Sequence, residues 1–220
     1  MLESLEPYLP EIYLGIGQTF LMLGISLSAA VLLGLPLGLI TFLTAKDQLL
    51  AQKAVNLVLN FVINIVRSFP FIILLVAMIP FTRAILGTTV GPLAASVPLS
   101  IAAIFFLARL VEQSLREIPK GTIEAAIAMG GHPLHIIWKV LLVEARSGLL
   151  LGLTVTAVSF ISYSAIAGVV GGGGIGDLAI RYGYYRFQTD IMIITVILLV
   201  ILVQSVQFLG NYLAAKIDKR

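Results

Sequence analysis

IMIITVILLVILVQSVQFLGNYLAA, residues Ile191 to Ala215, runs for 25 positions without a charged side chain. An α-helix rises about 1.5 Å per residue, so roughly 20 apolar residues span a hydrocarbon layer about 30 Å thick. Four further stretches meet this condition, within Ile12 to Ala45, Ala54 to Thr82, Ala84 to Ala108 and Ser147 to Gly176, and of the five only the second carries an internal charge, Arg67. Backbone amides in hydrocarbon must be bonded within their own helix or within a closed barrel, and long continuous apolar runs favour the helix over alternating barrel strands. The expected fold is an all-α, polytopic membrane helical bundle, a single transmembrane domain over residues 1–220 with five transmembrane helices. Composition agrees: 59% of residues are hydrophobic and 11% charged, with mean hydropathy +1.06, whereas a soluble domain carries about 25% charged residues. Cysteine is absent, which excludes disulfides, thiolate metal sites and cysteine nucleophiles. The basic residues are scattered among loops, so no nucleic-acid partner is expected.

Lysine and arginine in short loops set the orientation. The leading segment carries Glu3, Glu6 and Glu11 without a basic residue, whereas the tail carries Lys216, Lys219 and Arg220. The start is therefore expected outside and the tail in the cytoplasm. That assignment makes the loop with Lys46 and Lys53 cytoplasmic, together with the loop holding Arg109, Arg116, Lys120, Lys139 and Arg146, and leaves Arg83, Arg181 and Arg186 external. The first apolar run is too long for a signal-peptide core and reads as an uncleaved span.

The cytoplasmic loop, about residues 110–146, has internal punctuation. Ser114-Leu115-Arg116-Glu117 has capping-box spacing, and Pro119 with Gly121 and Thr122 breaks the chain before a short helix expected from about Thr122 to Gly130. Gly130-Gly131-His132-Pro133 stops it, and an amphipathic stretch from Leu134 to Val143 leads into the fourth span. Small alanines and a glycine end suit a helix pressed into a partner's groove; an interfacial helix lying on lipid headgroups is the competing reading.

Inside the spans, Lys53, Asn56, Asn60, Asn64 and Arg67 recur every three or four residues and share one helical face. That face should avoid lipid, lining a wet cavity, a subunit interface or the headgroup region. For Arg67 three roles stand: ligand to a substrate carboxylate, gate residue with a carboxylate partner, or a charge snorkelling to the cytoplasmic interface. Thr156, Ser159 and Tyr163 in the fourth span, and Gln204, Gln207 and Asn211 in the fifth, are further pathway candidates, with interhelical packing as the alternative role. Gly34 with Gly38, and Gly148 with Gly152, have the spacing that lets helices approach closely. Gly171, Gly173 and Gly176 match a dinucleotide fingerprint in letters only, because they end a membrane span; they read as an external turn or re-entrant bend that flexes as the bundle opens. His132 and His135 lack a clear third ligand, so no metal is expected.

Several of these strings together resemble a known family. Glu124-Ala125-Ala126 followed after three residues by Gly130 resembles the cytoplasmic coupling (EAA) loop of ATP-binding-cassette importer permeases. Residues 64–75, Ile79-Pro80-Phe81-Thr82-Arg83, Tyr163 to Gly168, the glycines from 171 to 176 and Tyr182-Gly183-Tyr184 extend the similarity to the methionine-importer permeases. The resemblance implies a type I importer fold and a homodimer in the bacterial cytoplasmic (inner) membrane, joined to two cytoplasmic ATPase subunits and supplied by an external methionine-binding lipoprotein. It implies that Glu124 makes a polar contact with the ATPase, with Ala125, Ala126 and Gly130 allowing close approach. A permease for another small amino acid or sulfur compound, or an ion-coupled carrier, is the alternative. The chain has no Gly-x-x-x-x-Gly-Lys-Ser/Thr loop, so ATP and Mg²⁺ are expected on the ATPase partner and no cofactor on this chain. For a methionine substrate, Met78, Phe105 and Tyr163 are candidate neighbours of the thioether.

Overall fold

The computed structural model describes residues 6–218; Glu3, Lys219 and Arg220, which enter the charge asymmetry, lie outside them. After a 3-10 turn at Glu6–Tyr8, α1 (Leu9–Ala29) continues through a π-helical turn (Ala30–Gly34) into α2 (Leu35–Leu43). Pro36 has no N–H to give to the ladder, and the wider turn just before it accommodates that missing bond. A loop leads to α3 (Lys53–Ser68), α4 (Phe71–Ala77) and α5 (Ile79–Leu86), and then to α6 (Pro92–Arg116). The short α7 (Lys120–Ala128) and α8 (Pro133–Ile136), a π turn and α9 (Leu142–Glu144) precede α10 (Arg146–Val169), α11 (Gly174–Leu178), a second π-helical stretch and α12 (Thr189–Ile217). No strand occurs among the described residues.

Four of these helices are long and apolar enough to cross a membrane, Glu6–Leu43, Pro92–Arg116, Arg146–Val169 and Thr189–Ile217; α3 and α4 make a fifth when counted as one broken span. The expected span from Ala54 to Thr82 is thus not straight. It bends by 100° after Ser68, because Pro70 cannot donate and forces Phe69 into an extended conformation (φ −73°, ψ 129°). The third span is displaced from the expected 84–108 to Pro92–Arg116. Gly87 (φ 71°) ends α5 and Gly91 (φ 98°) precedes α6, while Arg109 and Arg116, expected in the loop, occupy the last two turns of α6. Ser114 lies inside that helix, its hydroxyl donating to the Leu110 carbonyl at 3.0 Å, so it caps nothing. The fourth span ends at Val169 rather than Gly176.

Helix α6 is the hub. It packs against α1, α2, α3, α4, α5 and α10, and both glycine pairs face it. A Cβ at Gly34 would lie 2.6 Å from the Ile104 carbonyl oxygen, and one at Gly38 would overlap the Ala108 carbonyl. Across the hub, a Cβ at Gly148 would meet Ser114 at 3.1 Å and one at Gly152 would meet Leu110 at 3.3 Å. Where lipid is as apolar as leucine, close backbone approach is what makes helices prefer each other. The buried core follows α6 along its length, from Ala95 and Leu99 through Leu107 and Val111 to Leu115, and continues into Ile118, Ile123 and Ile136 of the connecting segment.

The glycine-rich corner after α10 is closely packed in this conformation. Gln18 and Thr19 of α1 accept the N–H groups of Gly174 (2.8 Å) and Ile175 (3.0 Å), capping α11. Gly91 donates to the Gly171 carbonyl at 2.9 Å, tying the α5–α6 and α10–α11 loops together at one end of the bundle. A Cβ on Gly176 would meet Ala165 backbone, so this glycine permits the close approach of α11 to α10.

Gly38→Leu is expected to unseat α2 from α6 and cost about 2 kcal/mol or more, seen as loss of monodisperse protein or a lower thermal midpoint in detergent. Gly17→Leu, where nothing lies within 4 Å of a Cβ, should leave both unchanged.

Candidate functional site

The polar face of α3 meets a charge cluster built on a buried carboxylate. Glu112 of α6 is 1% exposed, and its carboxylate accepts from Arg109 at 2.5 Å and from Arg116 at 2.7 and 3.1 Å. Arg109 also reaches α3, donating to Oδ1 of Asn60 at 2.9 Å and of Asn64 at 2.6 Å. Asn60 donates to the Asn56 side chain (3.2 Å) and carbonyl (3.0 Å), and Asn56 donates to the Thr41 carbonyl of α2 at 2.7 Å. The three asparagines do share a face, and they use it to join α2, α3 and α6. Asn60 and Asn64 are therefore structural clamps to a cation, which fits a gate better than a solute surface. A carboxylate this deep is tolerable only because two guanidiniums and their hydrogen bonds meet it.

Arg67, one turn beyond Asn64, stands apart from this cluster. Its guanidinium lies over the Phe106 ring, 5.8 Å from the centroid, and no carboxylate pairs with it among the described residues. Tyr163 of α10 stacks on Phe71 of α4 with centroids 4.7 Å apart and rings 2° from parallel, and meets Phe160 edge-on at 5.0 Å. Arg67, Phe69, Phe71, Leu74, Phe106 and Tyr163 line a half-open cavity of about 90 Å³. Of the candidate thioether neighbours, only Tyr163 faces it. Phe106 takes the place expected for Phe105, since adjacent helical residues point about 100° apart. Thr156 is fully buried and its hydroxyl donates to the Gly152 carbonyl at 2.8 Å, which commits it to packing. Ser159 is half-buried one turn below Tyr163. In α12, Gln207 donates to Asn211 at 2.8 Å, so these two satisfy each other.

Helix α7 starts two residues earlier than expected, after Pro119, and ends as the sequence indicates. Gly130 takes φ 77°, its N–H donating to the Ile127 carbonyl at 2.9 Å while Gly131 donates to Ala126 at 3.0 Å. Glu124, Ala125 and Gly130 are exposed, but Ala126 and Ile123 turn inward onto the core. Ala126 thus lets α7 sit close to its own subunit, where Gly131 and Ile136 press on it. The outward face adds apolar groups that spacing alone did not single out: Met129 is 82% exposed, and Ile127, Leu134 and Trp138 are exposed with it. A groove of about 550 Å³ runs between α7, α8 and the loop after α2, with Asp47, Lys120, Glu124 and Ile127 on its walls.

A bent second span, a hub helix and a short exposed helix wedged on its end form an arrangement with known counterparts. Residues 31–220 match the family described as the binding-protein-dependent transport system inner membrane component. The chain belongs to this family. A Vibrio cholerae relative called a probable D-methionine transport system permease protein is 50% identical over 203 residues, covering 92% of this chain and 90% of its own length. The Bacillus subtilis methionine import system permease protein is 45% identical over 179 residues, 81% of each chain. Among solved structures, an inward-facing MetNI methionine ABC transporter superposes with TM-score 0.95 at 42% identity, over 97% of this chain and 99% of that one. An amino acid ABC transporter with histidines, 20% identical, shares the fold at TM-score 0.80. Family membership makes this chain a multi-pass inner-membrane component of a transport system.

Glu112 was not singled out from sequence, although Arg109, Glu112 and Arg116 have the i, i+3 and i+4 spacing of paired charges on one helix face. Replacing it leaves Arg109, 15% exposed, with Asn60 and Asn64 alone to meet its charge, whereas Arg116, 56% exposed, turns to solvent. Glu112→Leu is expected to lose about 3 kcal/mol or more and to free α3 from α6, lowering the thermal midpoint of the detergent-solubilised chain; Glu112→Gln should retain part of the bonding and fall between.

Proposed function

We propose that this chain is the permease subunit of an ATP-binding-cassette importer for methionine, L- and also D-. Two copies assemble with two cytoplasmic ATPase subunits and receive substrate from an external methionine-binding lipoprotein. The observation that carries the reading is α7: a nine-residue helix locked to the core by Ile123 and Ala126, offering Glu124, Ala125, Ile127 and Met129 outward. A helix held this firmly on one side and bare on the other transmits displacement rather than absorbing it. The names of the relatives support methionine as the substrate.

Charge supports the sidedness. The α6–α10 connection lies at the same end as Lys216, since Ser147 donates to the Ala214 carbonyl at 3.3 Å, and the loop with Lys46 joins it there, Asp47 and Leu49 sharing a groove with Lys120 and Glu124. By the positive-inside rule that end is cytoplasmic, with the N-terminus outside and the C-terminus inside. ATP and Mg²⁺ then act in the partner. Closure of the ATPase pair carries the groove that holds α7, α7 moves the lower end of α6, and Arg109 passes the displacement to α3 through Asn60 and Asn64. Glu124 contributes the polar contact, while Ala125 and Gly130 keep that surface low enough for close approach.

Glu124→Lys combined with Gly130→Pro reverses the charge and removes both the left-handed cap and its donor. Membrane insertion should persist. Copurification with the ATPase and methionine uptake in proteoliposomes should fall about tenfold or more, equivalent to some 1.4 kcal/mol of contact energy. Uptake at the wild-type rate would refute docking through α7, and uptake by the chain without any ATPase would refute the importer reading.

A further inference from the structure

Arg67 occupies a position where a cation needs a reason. It lies fourteen residues into α3, about 21 Å above Lys53, and against Phe106, about 21 Å from the start of α6 and 15 Å from its end. Its side chain is open to the surface of the single subunit. Arg109, the neighbouring cation, is already engaged by Asn60, Asn64 and Glu112. What Arg67 has instead is the cavity of about 90 Å³, room for several water molecules, with aromatic rings on its other walls.

We propose that this cavity is a transit subsite for an amino-acid substrate, in which Arg67 takes the α-carboxylate and the faces of Phe71, Phe106 and Tyr163 take an unbranched apolar side chain. The inference rests on the importer reading above and gives it a place inside the membrane. A guanidinium presents its donors as a fork matched to a carboxylate, and a thioether gains from contact with ring edges and faces. The Phe71–Tyr163 stack holds one wall fixed and ties α4 to α10. The cavity is too small for a whole amino acid, so the substrate's amino end stays in water and the hold is weak, as passage requires. The same cation disfavours substrates with a basic side chain.

The chain has no native cysteine, so Ala102→Cys, on the cavity wall, supplies a single thiol in the permease. In the assembled permease–ATPase complex in proteoliposomes, its modification by a sulfonate-bearing and an ammonium-bearing methanethiosulfonate is followed by mass spectrometry of the permease chain. Rates are normalised to those with a free thiol. The anionic reagent should be favoured about tenfold, the order of enhancement an oriented charge gives in a low-dielectric cleft. Arg67→Gln should abolish that preference and Arg67→Lys should keep it. Millimolar methionine should slow modification several-fold, methionine amide should not, and protection should vanish in Arg67→Gln. An unchanged anion preference in Arg67→Gln, or equal protection by the amide, overturns the subsite. If the complex accumulates radiolabelled methionine but methionine does not protect the thiol, the subsite alone falls; if the complex with wild-type permease accumulates none, the substrate assignment falls with it.

Discussion

Glu112 is a carboxylate withdrawn almost completely from solvent in the last third of a membrane-crossing helix. An isolated charge there is untenable, and Arg109 and Arg116 remove the difficulty by enclosing it from one turn on either side. That local neutralisation lets the carboxylate stay buried in α6, which ends at Arg116 just before Pro119. Because Arg109 has donors to spare, it also captures two asparagines of α3, and through Asn56 the same chain of bonds reaches α2. One buried acid is thereby bonded through Arg109 to both neighbours of the hub helix.

Steric fit does the complementary work at the apolar levels. Gly34 and Gly38 sit on the backbone of α6 on one side, and Gly148 and Gly152 sit on its Ser114 and Leu110 side chains on the other, where a methyl group would already crowd. Gly210 of α12 sits against Thr154 of α10 in the same way. Dispersion between closely packed backbones, together with hydrogen bonds, substitutes for the hydrophobic driving force that lipid withholds. The outer corner uses the same device, with Gly168, Gly172 and Gly176 seated on backbone atoms and α11 capped by Gln18 and Thr19.

Mechanically, this gives two regions of different character. Helix α7 is continuous with the core through Ile123, Ala126 and Ile136. The α3–α4 segment, by contrast, is interrupted at Phe69–Pro70 and joined to α10 through one aromatic stack. The bend lies beside the half-open cavity lined by Arg67, Phe71, Phe106 and Tyr163, away from the glycine-packed contacts of the hub.

Much of this was legible from residue order. Charge-free runs of helical length determined an all-α membrane bundle, the glycine spacings indicated close packing, and Gly130-Gly131-His132-Pro133 marked the end of α7, because each rests on local backbone chemistry or on simple desolvation. The bend after Ser68, the shift of the third span by eight residues, the inward turn of Ala126 and the pairing of Arg109 with Asn60 and Asn64 were decided only in three dimensions. A window of hydropathy counts a charge as exposed, whereas the fold can cancel it with a partner three or four residues away or on another helix. Residue order fixed which side chains lie on one face of a helix; which neighbour that face meets, and so whether a polar stripe becomes a passage or a clamp, depended on packing between segments distant along the chain.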